Sequence, residues 1–458
     1  MEDQELTLAP ADYSLLTDLY QLTMAACYVG EGLDQRRASF ELFARRLPDG
    51  FGYLVAMGLA QALNYLENFR FSADQIEALK ATGIFAHAPD RFWETLAGAR
   101  FTGDVWAVPE GTVVFANEPL LRVEAPLWQA QLVETYLLNT INYQTMIATK
   151  SARMRDVAGD EAILLEFGTR RAFSPQASLW AARAAIAGGM NATSNVLAAL
   201  RLNRQPSGTM AHALVMALTA VEGNEDEAFA AFHRYFPGAV LLIDTYDSLA
   251  AAQRLAEQVK TQDLDLRGVR LDSGDLVELS KQVRSLLPNI SIVASGDLDE
   301  VEILRFKRAG AEINAYGIGT KLVTGVPVNG VYKLVEIDGI PVMKESSGKA
   351  TRPGRKQIFR RVVDGQLHSE RLGLLTDDPQ GDDSLLHLVY KQGERLQEPE
   401  PLEAIAARTA ASVATLPSSL RQIDRPDSFT PEITPALQEL TEQTQRNIHR
   451  FYTEQNLK

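Results

Sequence analysis

The chain has 458 residues, 46% of them hydrophobic, which suffices for a large core and, by length, two or three domains. A formal net charge of −14, from 45 Lys and Arg against 59 Asp and Glu, excludes a general nucleic-acid or anionic-membrane surface, and any bound phosphate must sit in a local pocket. The single cysteine, Cys27, excludes an intramolecular disulfide and a Cys-rich zinc site and fits a reducing compartment. It reads as a small buried or half-buried apolar residue.

The first segment, "MEDQELTLAPADYSLLTDLY", has no basic start followed by a continuous apolar run, so no secretory signal is expected. No stretch of about 18 apolar residues follows anywhere, so no membrane span is expected and the cytoplasm is the default location. From about Ala38 to Pro126, "RRASFELFARRL" and "GDVWAVPEGTVVFANEPLLRVEAP" alternate apolar and polar residues between Gly, Pro and Asn breaks, while "ADQIEALKATGIF" is helical in period. That combination predicts a sheet with helical cover. A long helical pattern then runs from Leu127 to Gly159. Beyond it, short β-rich runs ("AILLEF", "AVLLIDT", "GVRLDS", "ISIVASGD", "EINAYGIG") alternate with helical segments, which predicts parallel strands, closed into a barrel or left open. After about Val326, "NGVYKLVEIDGIPVMKES" predicts a hairpin, and the basic loop from Lys349 to Lys356 precedes more strand. That loop either touches a polyphosphate or is simply solvated. Past about Pro399 the chain reads as a polar helical tail.

Each middle βα unit ends its strand in polar residues that a core does not need: "EFGTRRAFSP", "IDTYDS", "VRLDSGDL", "VASGDLDE" and "YGIGTKLVTG". In parallel α/β folds the loops and helix N-termini converge at the strand C-termini, so five such endings predict one shared pocket. Period 2 places Arg270 and Asp272 on one side of a strand, and Asp275 caps the next helix. The acid suits sugar hydroxyls or a metal, the arginine a carboxylate or phosphate; a salt bridge between them is the structural alternative. Ser295-Gly296 and Gly317, Gly319 and Thr320 form two glycine turns on consecutive strands, where a phosphate can approach the backbone. Phe167 and Arg170 suit a flat anionic ring by stacking and charge, although Arg170 could equally pair with Glu166. His212 stands four residues after Gly208 at the mouth of the apolar run in "GTMAHALVMALTAVEG". The residues alone leave nucleophile, cap and packing histidine open. His87, His233, His368, His387 and His449 lack metal-ligand spacing and read as surface residues.

Taken in order with "TDLYQLTMA", the segments "FELFARRLP", "EFGTRRAFSP", "GGMNATSNVLAA", "GTMAHALVMA", "IDTYDS", "GVRLDSGDL", "NAYGIGTKLVTG" and "GVYKLVEI" resemble the nicotinate phosphoribosyltransferase family over nearly the whole chain up to the tail. The resemblance implies an irregular α/β barrel packed on an α+β N-terminal sheet domain, as in type II phosphoribosyltransferases. The implied organisation is a sheet domain over 1–126, a barrel-like catalytic domain over 127–326, a β-rich segment completing the sheet domain over 327–398 and a helical tail over 399–458. It further implies synthesis of nicotinate mononucleotide and pyrophosphate from nicotinate and 5-phosphoribosyl 1-pyrophosphate, coupled to ATP hydrolysis through a phosphohistidine, with Mg²⁺, in NAD biosynthesis.

By the same resemblance, Tyr20 stacks on the pyridine ring from a neighbouring subunit, which implies a homodimer, and Phe167 covers the other face. Arg170, Thr209 and Arg270 lie near the nicotinate and phosphoribosyl groups, and Asp272 binds the ribose hydroxyls. Ser295, Gly296, Gly317, Gly319 and Thr320 belong to the segments holding the 5′-phosphate. Asp244 lies near pyrophosphate and metal, and His212 is the phosphorylated histidine. Thr193 and Ser194 belong to a further substrate loop, in which Ala192 replaces the glycine common in the family. The related nicotinamide enzyme carries an aspartate at the place of Ser194; an acid there would repel a carboxylate, so serine favours nicotinate. A nicotinamide phosphoribosyltransferase and a phosphate-binding barrel protein without this activity are the alternatives, and the quinolinate enzyme fits neither the length nor the histidine.

Overall fold

The structure is a computed structural model, and it describes residues 6–261, 264–346 and 350–455. They divide into two compact units, one within Met1–Met146, Pro327–Gln422 and Pro426–Lys458, the other within Ile147–Val326 and Ile423–Arg425.

The first unit is built on a seven-stranded sheet in the order Ile340–Pro341, Gly330–Ile337, Arg37–Ala44, Pro119–Pro126, Asp104–Ala107, His387–Lys391 and Glu394–Arg395. Strand Arg37–Ala44 pairs antiparallel with Pro119–Pro126 on one side and with Gly330–Ile337 on the other, so residues nearly 300 positions apart in sequence share a ladder. The turn at Asp338-Gly339 has φ of 47° and 77°, the double positive value that a two-residue hairpin requires. Both faces of the central two strands are buried. The helix Leu127–Leu132 contacts these two strands. Lys356, which opens the strand Lys356–Val363 of a second, four-stranded sheet, ion-pairs with Glu41 (Nζ to Oε2 2.8 Å) and accepts from Arg122 (Nη1 to the carbonyl 2.6 Å). The polar tail is helical over Leu402–Ala414 and Pro435–Gln455, but Glu432–Ile433 also adds a short parallel strand to that second sheet.

The second unit carries six parallel strands in the order Ala192–Thr193, Ile163–Glu166, Ala315–Ile318, Ser291–Ser295, Gly268–Leu271 and Leu241–Leu242. All six run in one direction, which brings their C-terminal ends to one rim. Among the described residues the two outer strands are not paired with each other, so the ladder is irregular rather than a continuous ring. Side-chain caps define the helices that follow: Ser174, Asn195, Asp247, Asp275 and Asp299 each accept from backbone N–H groups in the first helical turn. Except after Ile163–Glu166, where a longer loop intervenes, these caps start each helix within a few residues of its strand. No helix among the described residues is long and apolar enough to cross a membrane.

Candidate active site

At the C-terminal rim of the parallel strands lies a cavity of about 710 Å³. Phe167, Thr169, Arg170 and Arg171 enter it after strand Ile163–Glu166, Ser194 after Ala192–Thr193, and Gly208 to Ala211 from a connecting loop. Arg270 and Asp272 enter from Gly268–Leu271, Ser295, Gly296 and Asp297 from Ser291–Ser295, and Gly317, Gly319 and Thr320 from Ala315–Ile318. Two glycines are required sterically. A Cβ on Gly317 would collide with the Phe167 ring, and one on Gly296, whose φ is 98°, with the Asp272 carbonyl.

The charges in this cavity are not neutralised pairwise. Arg270 donates through Nη1 to Thr209 Oγ1 (2.5 Å), its Nε is buried without a partner, and no ion pair joins it to Asp272 among the described residues. The salt-bridge alternative therefore falls, because the period-2 geometry points both groups into the cavity rather than at each other. Burial pulls the Arg270 guanidinium below its usual range; Arg170 acts in the same sense, and Asp272 and Asp244 act against it. Asp272 accepts from the Ser295 hydroxyl. Asp244, with 2% of its side chain exposed, accepts through Oδ2 from the Asp272 N–H (3.0 Å) and the Ser273 hydroxyl (2.7 Å). Its Oδ1 is buried without a hydrogen-bond partner, 3.7 Å from His212 Nε2.

His212 is the first residue of helix His212–Glu222, whose N-cap is Ala211, so it does not cap the helix. Nor is it packed away: 39% of its side chain is exposed, and Nδ1 lies 3.0 Å from Thr245 Oγ1. Eleven of the residues expected from sequence thus line one cavity: Phe167, Arg170, Ser194, Thr209, Arg270, Asp272, Ser295, Gly296, Gly317, Gly319 and Thr320. Asp244 sits behind Asp272, His212 follows the lining residue Ala211, and Thr193 is buried with its hydroxyl on Glu166. Tyr20 lies in the first unit on helix Leu19–Gly30, 47% exposed.

Comparison with known proteins places the chain in a family. Residues 15–142 match the nicotinate phosphoribosyltransferase N-terminal domain model, and residues 163–393 match the nicotinate phosphoribosyltransferase family model. The chain is 40% identical over 422 residues to nicotinate phosphoribosyltransferase pncB2 of Mycobacterium tuberculosis, covering 90% of this chain and 89% of that protein. The chain belongs to the nicotinate phosphoribosyltransferase family. Within the family it is also 45% identical over 374 residues to the Bacillus subtilis nicotinate phosphoribosyltransferase, covering 78% of this chain and 75% of that one. The crystal structure of human nicotinic acid phosphoribosyltransferase matches with a TM-score of 0.81 at 29% identity, covering 93% of this chain and 99% of that chain.

In this phosphoribosyltransferase-family chain, the polar cavity or rim groups that sequence reasoning missed include Arg171, Asp297, Thr245 and Glu166. Arg171 and Asp297 line the cavity beside residues that were singled out, and the doubled arginine and the strand-end "SGD" were their signals. Thr245 gave no signal, since its contact with His212 spans 33 positions. Glu166 was read as a partner for Arg170, but its carboxylate instead accepts from the Thr193 hydroxyl and the Gly168 N–H. Cys27 is exposed rather than buried, because its position on helix Leu19–Gly30 falls off the apolar stripe of Leu22, Ala25 and Val29. Lys349 lies outside the described residues; of the rest of that basic loop, Lys356 is buried on Glu41, and Arg355 pairs with Glu336 at 3.1 Å and Glu124 at 3.4 Å. Lys356 is thus taken up in a buried ion pair, while Arg355 is paired but 38% exposed to solvent.

Proposed function

We propose that this chain transfers the phosphoribosyl group of 5-phosphoribosyl 1-pyrophosphate to nicotinate, giving nicotinate mononucleotide and pyrophosphate for NAD salvage, with ATP hydrolysis coupled through a phosphohistidine at His212. The observation that carries this reading is the convergence of unpaired Arg270, Asp272, an aromatic face and two glycine turns on one cavity, with an exposed imidazole following one of its lining residues. The pyridine nitrogen forms the new bond to ribose C1 as the bond from C1 to the pyrophosphate oxygen breaks. Positive charge develops on the ribose, and Asp272 on the sugar hydroxyls stabilises it. The glycine turns Ser295-Gly296 and Gly317 to Thr320 offer backbone N–H groups to the 5′-phosphate. Phe167 stacks on the pyridine, while Arg170 and Arg270 attract its carboxylate. Ser194 accepts a carboxylate neighbour where an acid would repel it.

His212 takes the γ-phosphoryl group from ATP, releasing ADP, and later yields it to water. Attack by the imidazole places positive charge on the ring as the P–N bond forms, and the Asp244 carboxylate, 3.7 Å from Nε2, stabilises that charge. The donor set also suits Mg²⁺: Asp244 Oδ1 is a buried, unpartnered hard oxygen, with Asp272 next to it. When bound, the metal would neutralise charge on the departing pyrophosphate. In this reading the enzyme is a cytoplasmic homodimer, and Tyr20 covers the second pyridine face in the partner's site.

The test mixes the protein with 5-phosphoribosyl 1-pyrophosphate and either nicotinate or nicotinamide, with and without ATP, and measures mononucleotide. Absence of product from nicotinate sinks the reading, and product from nicotinamide alone transfers it to the related activity. With γ-labelled ATP, His212→Ala should lose the acid-labile protein label and the stimulation by ATP while retaining uncoupled transfer. Label retained in that variant would place the carrier on another residue.

A further inference from the structure

We propose that Glu166, which lines no part of the cavity, is the positioning residue for its pyridine-binding wall. The inference deepens the nicotinate reading and rests on it for the ligand. Glu166 closes the strand Ile163–Glu166 and is 1% exposed. One carboxylate oxygen accepts from the Gly168 N–H and the other from the Thr193 hydroxyl (2.5 Å), while its own carbonyl accepts from the Ser194 N–H (2.9 Å). One residue therefore joins the outgoing loop that carries Phe167 to the neighbouring strand end that carries Ser194. The chain of contacts continues outward. Thr193 Oγ1 accepts from the Asn195 N–H (2.9 Å), and Asn195 caps the next helix at the Ala198 N–H (3.0 Å).

The loop has no slack on its other side. A Cβ at Gly168 would meet Val323 and the Glu166 carboxylate at once, and the Phe167 ring lies on the bare backbone of Gly317. The ring and the Ser194 hydroxyl are thereby presented to a flat ligand at a fixed separation.

A packing role alone would not favour this residue. No Lys, Arg or His pairs with the Glu166 carboxylate among the described residues, and burial pushes it above the usual carboxylate range against the pull of its two hydrogen bonds. An unpaired buried carboxylate is costly, whereas an apolar residue of similar volume would fill the space without that cost. What the carboxylate supplies and an apolar residue does not is two acceptors aimed at two different loops. Glutamine keeps both links while reversing one, its carbonyl accepting from the Gly168 N–H and its amide donating to Thr193 Oγ1. Alanine removes it, and Thr193→Val removes the same link from the other end.

Steady-state kinetics of the full-length wild type, Glu166→Ala, Glu166→Gln and Thr193→Val should separate positioning from general damage. Glu166→Ala and Thr193→Val are expected to raise KM for nicotinate about tenfold, with KM for 5-phosphoribosyl 1-pyrophosphate and kcat changed less than about threefold. Glu166→Gln should stay within about twofold of wild type on all three. A parallel rise of both KM values, a collapse of kcat alone, or no change in Glu166→Ala and Thr193→Val would overturn the proposal. If the alanine variant does not fold, the glutamine and valine variants carry the same comparison. Crystal structures of the wild type and Thr193→Val supply a readout independent of substrate: the Phe167 ring and the Ser194 loop should separate in the variant. An unmoved wall would refute the positioning role even if nicotinate proved the wrong substrate, and failure of the wild type to use nicotinate would refute only the functional reading.

Discussion

Both units bury charged side chains on strands, but they treat them in opposite ways. In the antiparallel unit, Lys356 faces Glu41 at 2.8 Å, Arg122 faces Glu124 at 2.8 Å, and Arg360 faces Glu370, each acid matched by a cation. In the parallel unit, Arg270 lines a cavity with Arg170 and Asp272, and no ion pair joins Arg270 to an acid among the described residues. A fold gains nothing from leaving a buried charge unpaired, since desolvation is then uncompensated. Paired charges tie the antiparallel strands together, whereas Arg270 and Asp272 at the parallel strand ends face a cavity. The comparison predicts that substitutions in the two sets separate activity from stability.

The largest effect is expected at Asp272. Asp272→Ala should lower kcat by about 10²–10³-fold, the range for removing one group that stabilises developing charge, with little change in Tm. A variant that melts early with unchanged kcat would make Asp272 structural and erase the contrast. Next comes the antiparallel unit. Arg360→Met leaves Glu370 buried and unpaired and should cost about 3–5 kcal/mol in chemical denaturation, while the folded fraction keeps its kcat.

Glu118 sharpens the same cluster through pH. Burial, then the neighbouring Glu370, pushes its carboxyl well above the ordinary 4.5, while Arg360 and the Phe115 N–H act in the opposite direction. The folded state therefore holds this proton more tightly than the unfolded chain does. Its contribution is complete below about pH 4.5 and is lost as pH rises above it. Melting curves of wild type and Glu118→Gln should accordingly diverge as pH rises, with the variant gaining relative stability; parallel curves would show that Glu118 is not perturbed. The smallest effect belongs to the exposed Arg36–Asp338 pair at 2.7 Å. Asp338→Asn should change stability by less than about 1 kcal/mol, and by less at high salt.

Much of the catalytic unit was legible beforehand. The five β-rich runs correspond to strands Ile163–Glu166, Leu241–Leu242, Gly268–Leu271, Ser291–Ser295 and Ala315–Ile318, because short apolar runs ending in Gly, Asp and Ser carry both the strand and its exit turn. The two-residue strand Ala192–Thr193 is too short to show a period. In the antiparallel unit, alternation marked the strands but not the partner of Glu41, since Lys356 lies more than 300 residues away in sequence and cannot be seen in a local pattern. The long pattern from Leu127 to Gly159 is two helices, Leu127–Leu132 and Glu134–Ala158, divided at Val133, where no Gly or Pro marks the break.

By itself the sequence determined which residues could do chemistry and on which strand ends they stand, because a period of 2 and the turn residues are local properties of the chain. It determined that Arg270 and Asp272 share a side, that glycine turns end two consecutive strands, and that an imidazole opens an apolar helix. Only the tertiary structure decided what each of those groups faces: Thr209 rather than Asp272 for Arg270, Thr245 and Asp244 for His212, and Thr193 rather than Arg170 for Glu166. Those choices depend on which strands become neighbours in the sheet, and strand order is set by packing across tens to hundreds of residues, where a local pattern carries no information.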